Sequence, residues 1–364
     1  MMVDELLKKE AIELLKKLIA TPSLSREEDE TAYLIEEFFR ERNIPFSRLG
    51  NNIWSRNQHF DKSKPTILLN SHHDTVKPNA SYTRDPHEPT VEGDILYGLG
   101  SNDAGGPLVA LLATFVHFYY DSSLPFNLIF AASAEEEISG KNGIELLLKD
   151  LPPITFGIVG EPTSLDLSIA EKGLMVLDCL VKGKAGHAAR NEGENTITKA
   201  MKDISWFQTF EFPKISETLG KMKMSLTVIN AGSQHNVVPD ECRFTVDVRV
   251  TDAYSLTETL EIINSKVSCE VTPRSVRLNS SGISKNHPIL DVAKSLQLKT
   301  YGSPTLSDQA LMPFETVKLG PGDSARSHTA DEFIKLSEIN AGIELYAKVL
   351  KELKNNPEFS QRGI

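Results

Sequence analysis

Leu68-Leu69-Asn70-Ser71-His72-His73-Asp74-Thr75-Val76 is the stretch whose reading decides the fold. Residues 66–69 form an Ile- and Leu-rich run that reads as a buried strand, and it breaks at Asn70-Ser71 directly before metal-competent side chains. An α/β protein carries its chemistry there, just beyond the carboxyl end of a central strand. His72 and Asp74 stand two apart, so in extended chain they point to the same side; one can ligate a metal while the other orients it from behind. Alone, the pair equally suits a loop histidine with ordinary partners.

Before this stretch, Leu7, Ala11, Leu14, Leu15 and Leu18 recur at helical spacing, and the helix must end near Thr21-Pro22. Ser25-Arg26-Glu27-Glu28 has the form of a capping box opening a second helix, with Ala32, Ile35, Phe38 and Phe39 on one face. After it, Gly98-Leu99-Gly100-Ser101-Asn102-Asp103-Ala104-Gly105-Gly106-Pro107 leads into an apolar helix from Leu108 to about Phe118. The dinucleotide fingerprint fails here because Asp103 occupies the third glycine position. The loop instead delivers a carboxylate, or a capping acid.

The strand at 126–132 runs into Glu135-Glu136-Glu137, three carboxylates that repel one another unless a cation or proton compensates, or unless they are solvated at a helix start. The strand at 154–159 runs into Gly160-Glu161-Pro162-Thr163, and His328 follows a short apolar segment in a polar loop. A last amphipathic helix covers 336–353, and the tail from Asn355 is expected to be mobile.

A chain of 364 residues exceeds what one core usually supports, so two domains are expected. Strands at 174–181, 222–229 and 242–250, interleaved with helices at 196–210 and 255–264, predict a four-stranded α+β insertion over 172–284. Asn279-Ser280-Ser281-Gly282 is its hinge back; residues 1–171 and 285–364 make the other domain. The insertion holds His187 in a glycine-flanked loop, and Asn236 before a strand that carries Arg249.

Lys plus Arg number 39 against 50 Asp plus Glu, a net charge of −11 with no basic stripe. Nucleic acid and anionic membrane are therefore poor partners, and a cationic small molecule suits the field better. Cys179, Cys242 and Cys269 are far apart, with no CxxC, which fits a reducing compartment. No apolar run reaches the roughly 18 residues of a membrane span, so a soluble cytoplasmic protein is expected.

His72, Asp103, Glu137, Glu161 and His328 together supply two imidazoles and three carboxylates, a donor set suited to Zn²⁺ or Co²⁺. With Asp103 shared, each of two dications has three protein ligands, and three carboxylates plus one hydroxide neutralise both. Glu136 is then free to take a proton from water, which is metal-assisted hydrolysis with general base catalysis.

Six ordered motifs, His72-x-Asp74, Gly98-x-Gly100 with Asp103, Glu136-Glu137, Gly160-Glu161-Pro162-Thr163, Gly186-His187-Ala188 and His328, span nearly the whole chain. Together they resemble the dinuclear zinc family of acetylornithine deacetylases, succinyl-diaminopimelate desuccinylases, aminoacylases and glutamate carboxypeptidases. The resemblance implies an α/β, zinc-exopeptidase-like catalytic domain with a mixed central sheet, and a ferredoxin-like lid through which the chain forms a homodimer. It implies two Zn²⁺, with Co²⁺ or Mn²⁺ as substitutes: His72 and Glu161 on one, Glu137 and His328 on the other, and Asp103 bridging. Asp74 then stands behind His72, Glu136 is base and later acid, and His187 stabilises the oxyanion in the partner subunit's site. Asn236 and Arg249 match positions that hold the substrate carboxylate.

The implied activity is deacylation of an N-acyl amino acid, most like N-acetyl- or N-succinyl-ornithine or -citrulline in arginine synthesis. A metallo-dipeptidase or carboxypeptidase, an acetyl-lysine deacetylase and a catalytically silent binder are the alternatives. Leu99, Ala104-Gly105 and Glu135 depart from the family's usual residues without removing a ligand. Arg190 replaces a common proline, and its guanidinium could pair with an acidic acyl chain or simply be solvated.

Overall fold

The computed structural model describes residues 3–190 and 192–361. The chain divides into two compact units, one of Met1–Ile169, Gly282–Tyr301 and Ser307–Ile364, the other of Ala170–Ser281 and Gly302–Leu306.

In the first unit a mixed sheet runs in the order Ser47–Leu49, Asn52–Arg56, Asn127–Ser133, Thr66–His72, Phe156–Val159, Glu315–Lys318. The last four strands are mutually parallel, so their carboxyl ends line one edge. Ile67 and Leu69 face a core shared with the helices Glu5–Ile19, Asp29–Arg40, Gly106–Phe118 and Leu336–Asn355. Leu68, between them, faces the opposite core with Ile129, Val159 and Leu147. Burial on both faces explains why these strands read as continuous apolar runs instead of alternating ones. The Thr66–His72 strand continues three residues past the expected break, since Asn70, Ser71 and His72 stay in register with Ala131, Ala132 and Ser133.

Two local readings are corrected. Ser25 and Glu28 do not form a capping box: the helix begins at Asp29 with no side-chain cap, and Ser25 Oγ donates instead to Asp74 Oδ2 at 2.7 Å. The described tail is not loose, because a short helix at Pro357–Gln361 plants a fully buried Phe359 against Phe126 and Phe156, with ring centroids at 5.7 and 6.2 Å. An aromatic ring brings enough apolar area to anchor a terminus that composition alone leaves free.

The second unit is an antiparallel sheet in the order Lys223–Ala231, Glu241–Val250, Gly173–Lys182, Glu270–Pro273. Its helices, Thr196–Thr209 and Leu256–Asn264, are capped by Asn195 and Ser255. Along Gly173–Lys182 burial alternates strictly, so Met175, Leu177, Cys179 and Val181 join Phe207, Phe244 and Ile263 in a separate core. This is the ferredoxin-like βαββαβ pattern. No helix among the described residues is long and apolar enough to cross a membrane.

Candidate active site

The carboxyl edge of the parallel strands collects the polar residues. His72 closes the Thr66–His72 strand, with Nδ1 3.0 Å from the backbone carbonyl of Asp74 and 3.4 Å from its carboxylate. That carboxylate has three shorter bonds: it accepts from Ser25 Oγ at 2.7 Å, Glu136 N at 3.0 Å and Glu137 N at 3.1 Å. Asp74 thus pins the exit of one strand to the exit of the next, and fixes the backbone that carries Glu136 and Glu137.

Asp103 arrives on the glycine-rich turn Ser101–Gly105. Gly100 precedes it at φ +75°, where a Cβ would lie 2.6 Å from Thr75 Cγ2, so both conformation and close approach require glycine. Across the turn, Asn102 Nδ2 donates to Asp323 O at 3.1 Å and Asp323 N donates back to Asn102 Oδ1 at 2.9 Å. Asp103 Oδ1 lies 3.3 Å from His72 Nε2, and its Oδ2 lies 3.7 Å from His328 Nε2. His328 also lies 3.0 Å from Glu137 Oε2. Asp103 thus turns one carboxylate oxygen toward each of the two imidazoles. Among the described residues, His72, Asp103 and Glu137 each offer a donor atom within 4.8 Å of the others, so the donor set fits metal ions. Glu161, two residues past Phe156–Val159, lies outside that tight group, but its charge is felt at Glu136.

The electrostatics agree with a cation site. Burial pushes the Glu136 carboxyl well above its usual range; His72 opposes this, and the charges of Glu161, Glu137 and Asp308 reinforce it. Glu137 is also raised by burial, against the pull of His328. His72 is raised well above an ordinary histidine: burial works against its charge, but Glu136, Asp103 and Asp74 outweigh it. His328, bonded to Glu137, is pushed up to about 9. Protons on the imidazoles compensate the carboxylates where dications would do so better.

The remaining named residues lie in the second unit. Gly186–His187 pairs with Val237–Val238, and Ala188 N donates to Asn236 O at 3.0 Å, which brings the loops of His187 and Asn236 together. His187 is exposed and accepts from Ala189 N through Nδ1 at 3.1 Å. Arg190 is exposed, with Glu192 Oε1 3.9 Å from its Nη1. Arg249 donates to Asp247 through Nε at 2.8 Å and Nη2 at 3.0 Å.

The sequence reading missed the roles of three buried acids. Glu28 accepts from Arg26 N, Glu135 N and Asn51 Nδ2, bracing the loop that holds Glu136. Asp308 accepts from Oγ of Ser133, the residue in register with His72, at 2.5 Å, and burial pushes it up to about 7. Glu332 accepts from three backbone N–H groups of the Asp103 turn, and burial with Asp103 alongside pushes it up to about 8. Only Glu332 left a signal, an acid four residues past His328 at the start of an apolar strand.

Comparison with known proteins identifies the family. A LysW-lysine/LysW-ornithine hydrolase of Sulfurisphaera tokodaii is 28% identical over 360 residues, 96% of this chain and 97% of that one. The enzyme of the same name from Saccharolobus solfataricus is 27% identical over 366 residues, with the same coverage. Among solved structures, a tripeptidase from Staphylococcus aureus matches with a TM-score of 0.78 at 20% identity, covering 98% of this chain and all of that one. A dinuclear metal-binding M20 peptidase from Bacillus subtilis matches at 0.70 and 16%, over 95% of this chain and 98% of that one. The profile of Peptidase family M20/M25/M40 matches residues 68–352, from the strand that carries His72 to the last long helix. The chain therefore belongs to peptidase family M20/M25/M40 and is a hydrolase of that family.

Proposed function

We propose that this chain hydrolyses the amide that joins an acyl group to lysine or ornithine. The observation that carries the proposal is Glu136. It is half-buried beside the donor group, 3.8 Å from His72 Nε2 through Oε2, yet is not needed as a ligand. His72 and Glu161 would hold one metal ion, Glu137 and His328 the other, and Asp103 both; zinc suits the donors best, with Co²⁺ or Mn²⁺ as substitutes. Bound there, such ions polarise the scissile carbonyl and lower the pKa of water toward neutrality.

Glu136 takes a proton from the attacking water as the carbon–oxygen bond forms, and returns it to the departing amine nitrogen as the carbon–nitrogen bond breaks. Asp74 keeps the Glu136 backbone in place throughout. The negative net charge favours a substrate with a cationic side chain. Nearly full-length similarity to LysW-lysine/LysW-ornithine hydrolases supports lysine or ornithine as the amine and LysW as one acyl partner; acetyl and succinyl are the other acyl groups we propose to test.

His187 stabilises the oxyanion in the site of a second copy, Asn236 and Arg249 hold the substrate carboxylate, and Arg190 selects an acidic acyl chain. An unchanged succinyl-to-acetyl preference in Arg190→Ala would remove that last role. Two features support dimerisation through 172–284: Lys223–Ala231 is an outer strand of its sheet, and it exposes Val228 and Ile229 by about half. Light scattering that returned a monomer would remove the dimer. For the mechanism, the test is Glu136→Gln: metal content should stay at the wild-type value while amine release stops. Retained turnover would rule Glu136 out as the base.

A further inference from the structure

The segment from His328 to Lys335 ties together parts of the first unit that are far apart in sequence. His328 and Asp331 are both in the left-handed region, at φ 59° and 53°, a conformation uncommon for residues that carry a side chain. Asp331 accepts from Thr83 N at 2.9 Å, Thr83 Oγ1 at 2.5 Å and Arg84 N at 3.0 Å. Phe333–Lys335 then pairs with Ile95–Tyr97.

Between these anchors, Glu332 turns inward and is only 2% exposed. Its Oε1 accepts from Asn102 N at 2.8 Å and Asp103 N at 2.9 Å, its Oε2 from Gly100 N at 3.2 Å, and its own carbonyl from Gly98 N at 2.9 Å. Backbone N–H groups converging on one carboxyl group form a rigid cradle, here filled by a side chain of the protein itself.

We propose that Glu332 is the positioning residue that sets Asp103 between His72 and His328. It touches neither imidazole; it acts by fixing the peptide N–H of Asp103 and of the residue before it. With that backbone fixed, one carboxylate oxygen faces His72 and the other faces His328. Because Glu332 lies four residues after His328, the same anchor sets the spacing between a shared ligand and a ligand of one metal only. The inference rests on the reading of Asp103 as the shared ligand.

The test uses the full chain, stripped with a chelator and titrated with Co²⁺ alone, following bound cobalt per chain and the visible absorption band. Wild type should take up two ions; uptake of fewer would refute the shared-ligand reading itself, before Glu332 is considered. Glu332→Gln keeps the size of the side chain but sets an amide NH₂ against the N–H cradle. The expected result is a folded protein whose second Co²⁺ binds at least tenfold more weakly, with an altered band, as loss of a partner behind the ligands produces. A merely structural role would lower the melting temperature of the stripped protein and leave both Co²⁺ affinities and the band unchanged; that result overturns the proposal. Should Glu332→Gln fail to fold, Glu332→Asp, which keeps the carboxyl group one methylene short, is read by the same two criteria.

Discussion

Replacing Asp74 by Asn tests whether this buried carboxylate is the hub that joins two strand exits. The native side chain accepts from one hydroxyl and two backbone N–H groups at 2.7–3.1 Å, and its residue is 1% exposed. An Asn of the same shape has one acceptor oxygen, and its NH₂ must face at least one of the N–H groups of Glu136 and Glu137. A hydrogen bond to a charged acceptor contributes about 1.5–3 kcal/mol, and a buried donor left without a partner costs about 1–3 kcal/mol. The variant should therefore lose about 3–5 kcal/mol in urea unfolding of the chelator-treated protein. Because the backbone of Glu136 and of Glu137 loosens together, kcat/KM should also fall at least about a hundredfold, or about 2.7 kcal/mol. Ser25→Ala is the control: it removes one bond to the same carboxylate and should cost about 1 kcal/mol, with activity within tenfold of wild type. An Asp74→Asn protein with the wild-type urea midpoint, or one destabilised but still within tenfold in kcat/KM, would refute the hub reasoning.

Asp308 sets a pH dependence. Burial raises its carboxyl from 3.8 to about 7, so between those values the folded state binds a proton that the unfolded state does not, and stability falls as pH rises across that window. About three pH units at about 1.4 kcal/mol each give about 4 kcal/mol, so metal-free Asp308→Asn should gain on wild type by that order between pH 4 and 7 and hold the gain above. A difference that stayed constant over that range would refute it. Phe359→Ala should cost about 3–5 kcal/mol in thermal or urea unfolding, as expected for a fully buried ring; a loss under 0.5 kcal/mol would mean that the tail carries nothing.

Much of the site was legible because its residues follow strand exits, where apolar runs stop and polar side chains begin. His72, Asp103 and Glu137 each bring a donor atom within 4.8 Å of the others, with His328 3.0 Å from Glu137 and Glu161 outside that group. The bracing behind them was not legible, because it is made across long stretches of chain. Ser25-x-x-Glu28 has the string of a helix cap, yet its hydroxyl bonds an acid 49 residues away, and no local pattern reveals such a partner. Glu332 reaches back 229 residues to Asp103 N, and Asp308 reaches 175 to Ser133. Phe359 was missed for a simpler reason: a lone aromatic in a polar tail has no periodicity to give it away.

The most direct measurement is kcat/KM for amine release by zinc-reconstituted protein from a matched panel: N-acetyl- and N-succinyl-ornithine, the same acyl groups on lysine and citrulline, LysW-lysine, LysW-ornithine and two dipeptides. A lead of about a hundredfold for an acylated lysine or ornithine over the dipeptides, about 2.7 kcal/mol of transition-state discrimination, is the predicted result, and the leading compound names the acyl partner. A dipeptide in the lead, or no amine released by protein that holds two zinc ions, would contradict it.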